Sequence, residues 1–236
     1  MKRLLFNILL LAVSVTAAAQ TEWKAQVDSL VENAPEYNEF NQRRRSLLKV
    51  LPVKSSNIVF LGDSITNGGE WAELFENPEV INRGISGDRV VWLFDRIDYI
   101  AAAKPKKIFL LIGINDLLGG RTKSHDVVIM IAELLTRLHA MTPDTELYLQ
   151  SILPVNLNGP TMSNHKNSTI LQRIENCNIW LDKWCSKNSF VTYIDIASSM
   201  KDAEGMLNEN LTFDGLHPNG TGYLIWKDVI EGYVND

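Results

Sequence analysis

The sequence is short of the residues that cross-link a fold or hold a metal ion. Its 236 residues include two cysteines and four histidines. Cys177 and Cys185 lie eight positions apart in a segment typical of a helix, so a rise of ~1.5 Å per residue would place their Cα atoms about 12 Å apart, beyond the ~7 Å that a disulfide spans. Neither has the spacing of a zinc site, and no H-E-x-x-H occurs. We therefore expect buried apolar cysteines, and no metal ion or cofactor.

Positive charge is also in short supply. The sequence has 23 Lys and Arg against 28 Asp and Glu, which gives a formal net charge of −5. No run of basic residues is longer than three. An acidic surface of this kind argues against nucleic acid or an anionic membrane as a partner.

The one long apolar run lies at the amino terminus. Lys2 and Arg3 precede the run Leu4–Val15, and Ala17–Ala19 supplies the small residues of a cleavage site. This order predicts a signal peptide over residues 1–19, and hence a secreted or periplasmic protein. The run is short for a stable membrane anchor, and an uncleaved anchor is the alternative. Cleavage would remove Lys2 and Arg3 and so move the net charge from −5 to −7.

The rest of the chain shows no repeat and no proline- or serine-rich linker, so a single α/β domain is expected. Apolar runs such as "IFLLIG" are typical of strands buried on both faces of a parallel sheet. The predicted strands are Asn57–Leu61, Val80–Asn82, Lys107–Ile112, Glu146–Ile152 and Phe190–Ile194. The predicted helices are Ile65–Asn77, Arg89–Ala102, Lys123–Met141, Ser168–Ser186 and Gly220–Tyr233.

This alternation predicts an α/β fold, a three-layer α/β/α sandwich with a five-stranded parallel sheet, over residues 56–236. Residues 20–55 form a helical lead-in. Within it, Trp23–Val50 is amphipathic and is interrupted at Pro35.

Four polar segments should meet at one edge of this sheet, where ligands bind in open α/β folds: "FLGDSITNGG", "NRGISGD", "GINDLLGG" and "FDGLHPNG". Ser64 lies in the first of them, but a serine hydroxyl needs a base to become a nucleophile. His217 is the best placed histidine, because Asp214 precedes it by three residues, Gly215 permits a tight turn and Pro218 can begin a helix. The carboxylate can then hold one ring nitrogen while the other faces Ser64.

The other candidates are weaker. His125 and His139 fall within a predicted helix and His165 within a polar loop, positions that are typical of surface residues. Ser86 is the alternative nucleophile. Its surroundings, "GISGD", differ from the G-x-S-x-G nucleophile elbow, which the sequence does not contain.

Hydrolysis of an ester also needs N–H donors aimed at the negative charge that develops on the carbonyl oxygen. The backbone N–H of Ser64 begins a helix, Gly87 can bring its N–H close because it has no side chain, and Asn115 offers an amide. Each residue also has a simpler explanation. Asp63 or Ser64 could cap a helix, Asn115 could begin a capping turn, and Asp214-Gly215 is a common turn pair.

These segments resemble the ordered blocks of the SGNH, or GDSL, hydrolases. The four blocks are Gly62-Asp63-Ser64-Ile65 (with Ile where Leu is common), Gly87 in "ISGD", Gly113-Ile114-Asn115-Asp116, and Asp214-Gly215-Leu216-His217-Pro218. The resemblance covers about residues 56–236 and implies a flavodoxin-like sheet and a metal-free serine esterase. It implies Ser64 as nucleophile, His217 as general base and Asp214 as its orienting carboxylate. The oxyanion hole would comprise Ser64, Gly87 and Asn115.

The expected function is therefore that of an exported esterase that removes short acyl groups, acetyl first, from a glycan or a small-molecule ester. "NIVFLGDSIT" and "NRGISGD" look closest to the branch with platelet-activating-factor acetylhydrolase subunits and bacterial carbohydrate deacetylases. A lysophospholipase or short-chain lipid esterase is an alternative that would need an apolar acyl channel. An acyltransferase and a non-catalytic binding module are further alternatives, and the oligomeric state stays open.

Overall fold

The computed structural model describes residues 17–120, 122–165 and 169–236. Most of the predicted signal peptide, residues 1–16, therefore lies outside the described residues, as does the predicted helix start at Ser168. The strands are β1 (Ile58–Gly62), β2 (Val80–Gly84), β3 (Lys107–Leu111), β4 (Glu146–Gln150) and β5 (Val191–Ile194). The helices are α1 (Ala17–Glu32), α2 (Glu39–Val50), α3 (Ser64–Asn67), α4 (Trp71–Leu74), α5 (Val90–Leu93), α6 (Ile97–Ala101), α7 (Ile114–Leu118), α8 (Ser124–Met141), α9 (Ile170–Cys185) and α10 (Gly220–Asn235).

The five strands form one parallel sheet in the order β2-β1-β3-β4-β5. The predicted fold class is confirmed, since helices cover both faces of this sheet in a flavodoxin-like order. The strands are added first on one side of β1 and then on the other. β2 pairs with one edge of β1, whereas β3 pairs with the opposite edge and is followed by β4 and β5. The loops after β2, β1 and β3 are therefore neighbours at the carboxyl edge.

One face of the sheet carries a layer of aromatic rings that fixes β1. Phe60, Phe109 and Tyr148 occupy matching register positions, and their rings stack with centroids 5.0 and 4.5 Å apart. Trp71 of α4 stacks on Phe60 at 4.3 Å, and Trp226 of α10 meets Trp71 edge-on. This packing holds the end of β1, and the residues that follow it, against α4 and α10.

Two of the predicted helices are wrong as continuous elements. The segment Ile65–Asn77 forms α3 and α4 instead, because the side-chain amide of Asn82 donates to the carbonyls of Thr66, Asn67 and Gly69, which are thereby taken out of helical pairing. The predicted helix Arg89–Ala102 is likewise divided into α5 and α6.

The division between α5 and α6 brings Arg96 into the interior. Its guanidinium donates to the carbonyls of Arg83 at 2.8 Å and Gly62 at 3.3 Å, and it is 2 % exposed.

The segment before β1 contains α1 and α2, which are separated by the stretch that includes Pro35. Val27 of α1 and Leu48 of α2 are buried in the core of the domain. Cys177 and Cys185 are free and buried, as expected. Within the described ranges, no helix is both long enough and apolar enough to span a membrane.

Candidate active site

Ser64 is the first residue of α3, and Asp63 alone separates it from the end of β1. The N-cap of α3 is Asp63, whose Oδ1 accepts the backbone N–H of Ile65 at 3.0 Å. The capping explanation therefore applies to Asp63. The hydroxyl of Ser64 is left for another partner, and its Oγ lies 3.0 Å from Nε2 of His217.

The other ring nitrogen of His217 faces a carboxylate. Nδ1 lies 2.7 Å from Oδ2 of Asp214, so the ring bridges the carboxylate and the serine hydroxyl. With the Nδ1 proton bound to Asp214, the neutral ring presents an unprotonated Nε2 to Ser64. This is the arrangement in which an imidazole can accept the proton of a serine hydroxyl.

The loop that carries Asp214 and His217 is held by its own backbone. Gly215 has φ +89°, and a Cβ at this position would lie 2.5 Å from the carbonyl oxygen of Asn156. The hydroxyl of Thr212 accepts the N–H of Gly215 at 3.0 Å and donates to the carbonyl of His217 at 2.7 Å. The Asp-Gly turn predicted from the sequence is thus real, and it serves to bring Asp214 and His217 together.

Hydrogen bonds keep Asp214 ionised. Burial acts to raise its pKa, but the backbone N–H and the ring of His217, the N–H of Leu216 and the hydroxyl of Thr161 together hold that pKa well below its usual range. Since an unfolded aspartate titrates near pH ~3.9, the resulting stabilisation is present above that pH and is lost as the pH falls through the lower, folded-state pKa. Thr161 was not predicted, because it lies in a polar loop 53 positions from Asp214.

The two oxygens of Asp214 have different partners, which makes the variant Asp214→Asn informative. Oδ1 accepts the backbone N–H groups of Leu216 and His217 at 2.9 and 2.8 Å. In the asparagine variant those donors require the amide oxygen, so the amide nitrogen must face Nδ1 of His217. That nitrogen would donate to Nδ1 and stabilise the tautomer with its proton on Nε2, which cannot accept the serine proton.

We therefore expect Asp214→Asn to lower kcat/KM for a short ester by about 10⁴-fold, and Asp214→Ala to lower it less. In Asp214→Ala, a water molecule can replace the carboxylate without imposing a tautomer. Because the imidazolium would lose its counter-charge, the acidic limb of the kcat/KM profile should also move to lower pH. Steady-state kinetics from pH 5 to 9 on both variants check this, and an alanine variant that is the worse of the two would contradict it.

The three predicted oxyanion donors follow adjacent strands. Ser64 follows β1, Gly87 follows β2 and Asn115 follows β3. Gly87 has φ +80° and open space around its missing side chain, so its peptide can be approached from the site. The Asn115 amide donates one hydrogen to the carbonyl of Asp88 at 2.9 Å. A primary amide has a second N–H, which is the one available to an oxyanion.

The alternative nucleophile Ser86 and the three other histidines have contacts of their own, outside the group formed by Ser64, His217 and Asp214. Ser86 Oγ lies 3.2 Å from Oδ1 of Asn67. The ring of His125 meets Trp23 edge-on, that of His139 stacks on Phe190, and His165 ends a short 3₁₀ helix. In the part of the chain that the structure describes, no group of three or more His, Cys, Asp or Glu side chains could hold a metal ion.

Three buried carboxylates, Asp63, Asp88 and Asp116, lie in the loops that carry the site. Asp88 pairs with Arg45 at 2.8 Å and Arg96 at 2.6 Å. Burial raises the pKa of Asp63 to about 8 and that of Asp116 to about 7, the latter despite a hydrogen bond from the N–H of Val90. A buried carboxylate is costly unless it is paired or neutral: Asp88 is paired with two arginines, and the raised pKa values of Asp63 and Asp116 favour their neutral forms.

The part of the sequence that contains this site matches a known protein family. Residues 60–225 match the GDSL-like lipase/acylhydrolase family. The chain belongs to this family. As a GDSL hydrolase, the protein is a carboxylic ester hydrolase, and the matched range includes Ser64, Gly87, Asn115, Asp214 and His217.

Several solved structures share this fold. A protein from Streptococcus pneumonia that is named for platelet activating factor is 26% identical, with a TM-score of 0.71 over 92% of this chain and 99% of that chain. A GDSL-like lipase from Bacteroides thetaiotaomicron is 24% identical, with a TM-score of 0.71 over 83% of this chain and 97% of its own. Axe2, an acetylxylan esterase from Geobacillus stearothermophilus, is 17% identical, with a TM-score of 0.62 over 79% and 97%.

A curated relative is matched over part of its length. The N-acylneuraminate cytidylyltransferase of Escherichia coli O18:K1:H7 is 23% identical over 203 residues, which are 84% of this chain and 44% of that protein. The chain thus spans less than half of this relative.

Proposed function

We propose that this GDSL hydrolase is an exported serine esterase that removes acetyl groups from carbohydrates through an acyl-serine intermediate. The observation that carries the proposal is the continuous contact from Asp214 through His217 to the hydroxyl of Ser64, at 2.7 and 3.0 Å. A nucleophile, a base and an orienting carboxylate in this order are what acyl transfer to serine requires.

The reaction follows from these contacts. Ser64 Oγ attacks the ester carbonyl while Nε2 of His217 takes the hydroxyl proton, and the resulting oxyanion is bound by the N–H groups of Ser64, Gly87 and Asn115. His217 then returns the proton to the leaving alcohol as the tetrahedral intermediate collapses to acyl-serine. Water, deprotonated by His217, attacks the acyl-serine in the same way and releases the acid and free Ser64.

A short acyl group suits the surface around Ser64. Two depressions on the described surface lie away from Ser64: one along α2 at Gln42, Leu47 and Val50, the other near Lys104 and Pro143. A long acyl chain would need a deep apolar channel that begins at the nucleophile. An acetyl group needs none.

A carbohydrate as the leaving group is supported by three features. Phe213 is 82 % exposed directly beside Asp214, where its ring could pack on the apolar face of a sugar. The net charge of −5 disfavours anionic lipid surfaces, and the predicted signal peptide would bring the protein to extracellular glycans. The same fold carries an acetylxylan esterase in Axe2.

The experiment compares acetylated xylooligosaccharides, lysophosphatidylcholine and nitrophenyl esters of two to eight acyl carbons, with Ser64→Ala as the blank. We expect the acetyl ester to be the best nitrophenyl substrate and acetate to be released from the oligosaccharide. Phe213→Ala should lower kcat/KM about tenfold for the oligosaccharide and leave that for nitrophenyl acetate unchanged, since a stacking contact is worth roughly 0.5–1.5 kcal/mol.

Preference for the octanoyl ester or for the lysophospholipid would contradict the carbohydrate assignment. Transfer of the acetyl group to added sugar in place of water would identify an acyltransferase.

A further inference from the structure

We infer that Asn41 and Arg45 of α2 are positioning residues for the oxyanion hole, acting through Gly87 and Asn115. The inference rests on the proposed ester hydrolysis. Helix α2 lies before residues 60–225, which match the family, so the family match gives it no role. Its contacts with the loop after β2 assign one.

Asn41 binds the peptide group that contains the Gly87 N–H. Its Nδ2 donates to the carbonyl oxygen of Ser86 at 2.8 Å, and that carbonyl shares a peptide plane with the N–H of Gly87. In a trans peptide the C=O and N–H point in opposite directions. Holding the carbonyl towards α2 therefore directs the N–H away from α2. A hydrogen bond to the carbonyl also polarises the peptide and makes its N–H a better donor.

The turn that contains this peptide has an alternative conformation that Asn41 disfavours. The N–H of Asp88 bonds to the carbonyl of Ile85 at 3.0 Å, and Gly87 has φ +80° while Ser86 is not among the described residues with positive φ. This is a type II turn, with Ser86 and Gly87 at its centre. A type I turn differs by a flip of the central peptide, which would exchange the positions of the Ser86 carbonyl and the Gly87 N–H. Only the type II state makes the bond to Asn41.

Arg45 holds the next residue of the same loop. Its guanidinium lies 2.8 Å from Oδ1 of Asp88 and donates to the carbonyl of Trp92 at 3.1 Å. The backbone carbonyl of Asp88 accepts the amide of Asn115 at 2.9 Å. Two of the three oxyanion donors, the Gly87 N–H and the Asn115 amide, are thus positioned by residues 86–88. Helix α2 contacts these residues from outside the sheet.

The chemistry of Asn41 favours a positioning role over a packing role. The side chain is fully buried, and its Oδ1 has no hydrogen-bond partner among the described residues. A buried amide with an unmatched oxygen is unfavourable, and an apolar side chain would fill the space without that cost. The bond to Ser86 is what the amide contributes.

The test is Asn41→Leu, which keeps the approximate volume and removes the donor. We expect kcat for nitrophenyl acetate to fall about 10- to 100-fold, somewhat less than the 10²–10³-fold loss of a whole donor, with KM within about twofold. The inhibition constant of a boronic acid, which forms a tetrahedral adduct on serine, should rise by a similar factor. Arg45→Met should have a smaller effect, because Arg96 still holds Asp88.

Val27→Ala is the matched control. It removes buried volume from α1, so it should lower Tm and leave kcat unchanged. If Asn41→Leu does not fold, Asn41→Ala removes the same donor and leaves space. The inference would be overturned if the wild type is active and the Asn41 variants keep its kcat and its affinity for the boronic acid. Loss of the proposed function would look different, because the wild type would then be inactive or Ser64→Ala active.

Discussion

Replacing Ser64 with alanine should lower kcat/KM for nitrophenyl acetate by roughly 10⁶-fold, the order of effect seen when a serine nucleophile is removed. The hydroxyl is the nucleophile of the proposed reaction, and it lies 3.0 Å from the base, Nε2 of His217. Without it, His217 and the oxyanion donors have no nucleophile to assist. The protein should still fold, since Asp63 and not Ser64 caps α3. Kinetics with a matched circular dichroism melt check both parts.

Ser86→Ala is the control for this prediction. Ser86 lies on the same rim, but its Oγ contacts Asn67 and not a histidine. The control should retain at least about half of the wild-type kcat, because its hydroxyl takes part in no proton transfer. The reverse result, an active Ser64→Ala and an inactive Ser86→Ala, would show that the nucleophile is misassigned.

Replacing His217 with alanine should be about as damaging as Ser64→Ala, and the double variant hardly worse than either. Nε2 of His217 lies 3.0 Å from Ser64 Oγ, and both proton transfers pass through it. When two groups act as one unit, the loss of either removes the function of both. The measurement is a double-mutant cycle on kcat/KM.

His165→Ala is the matched control, since this histidine lies in a 3₁₀ helix and none of the described contacts connects it to Ser64. Losses that multiply in the double variant would mean that Ser64 and His217 act independently, and the relay would be refuted.

The fold could be predicted to within two residues at each strand end, and the reason is physical. Strands buried on both faces, such as Lys107–Leu111, form continuous apolar runs with turn residues at their ends. The helices that follow β1 and β2 in the chain could not be predicted as well. Their breaks depend on Asn82 and Arg96, whose side chains reach backbone carbonyls 13 to 34 positions away.

Ser64 could be placed at the carboxyl edge because it closely follows β1, and the pairing of Asp214 with His217 was predictable from their spacing of three residues just before α10. The supporting residues were not. Thr161, Asn41 and Arg45 contact the site across 43 to 53 positions of sequence, and no local pattern marks them. Polar groups of this kind become visible only when a structure shows which buried donors and acceptors they satisfy.

The most direct test of the central claim is to trap the acyl-enzyme. The protein is mixed with excess nitrophenyl acetate, quenched in acid within the first turnover, digested and analysed by mass spectrometry. We expect one acetyl group on the peptide that contains Ser64, and none in Ser64→Ala. An acetyl group on Ser86, or full hydrolysis with no acetylated peptide in the wild type, would contradict it.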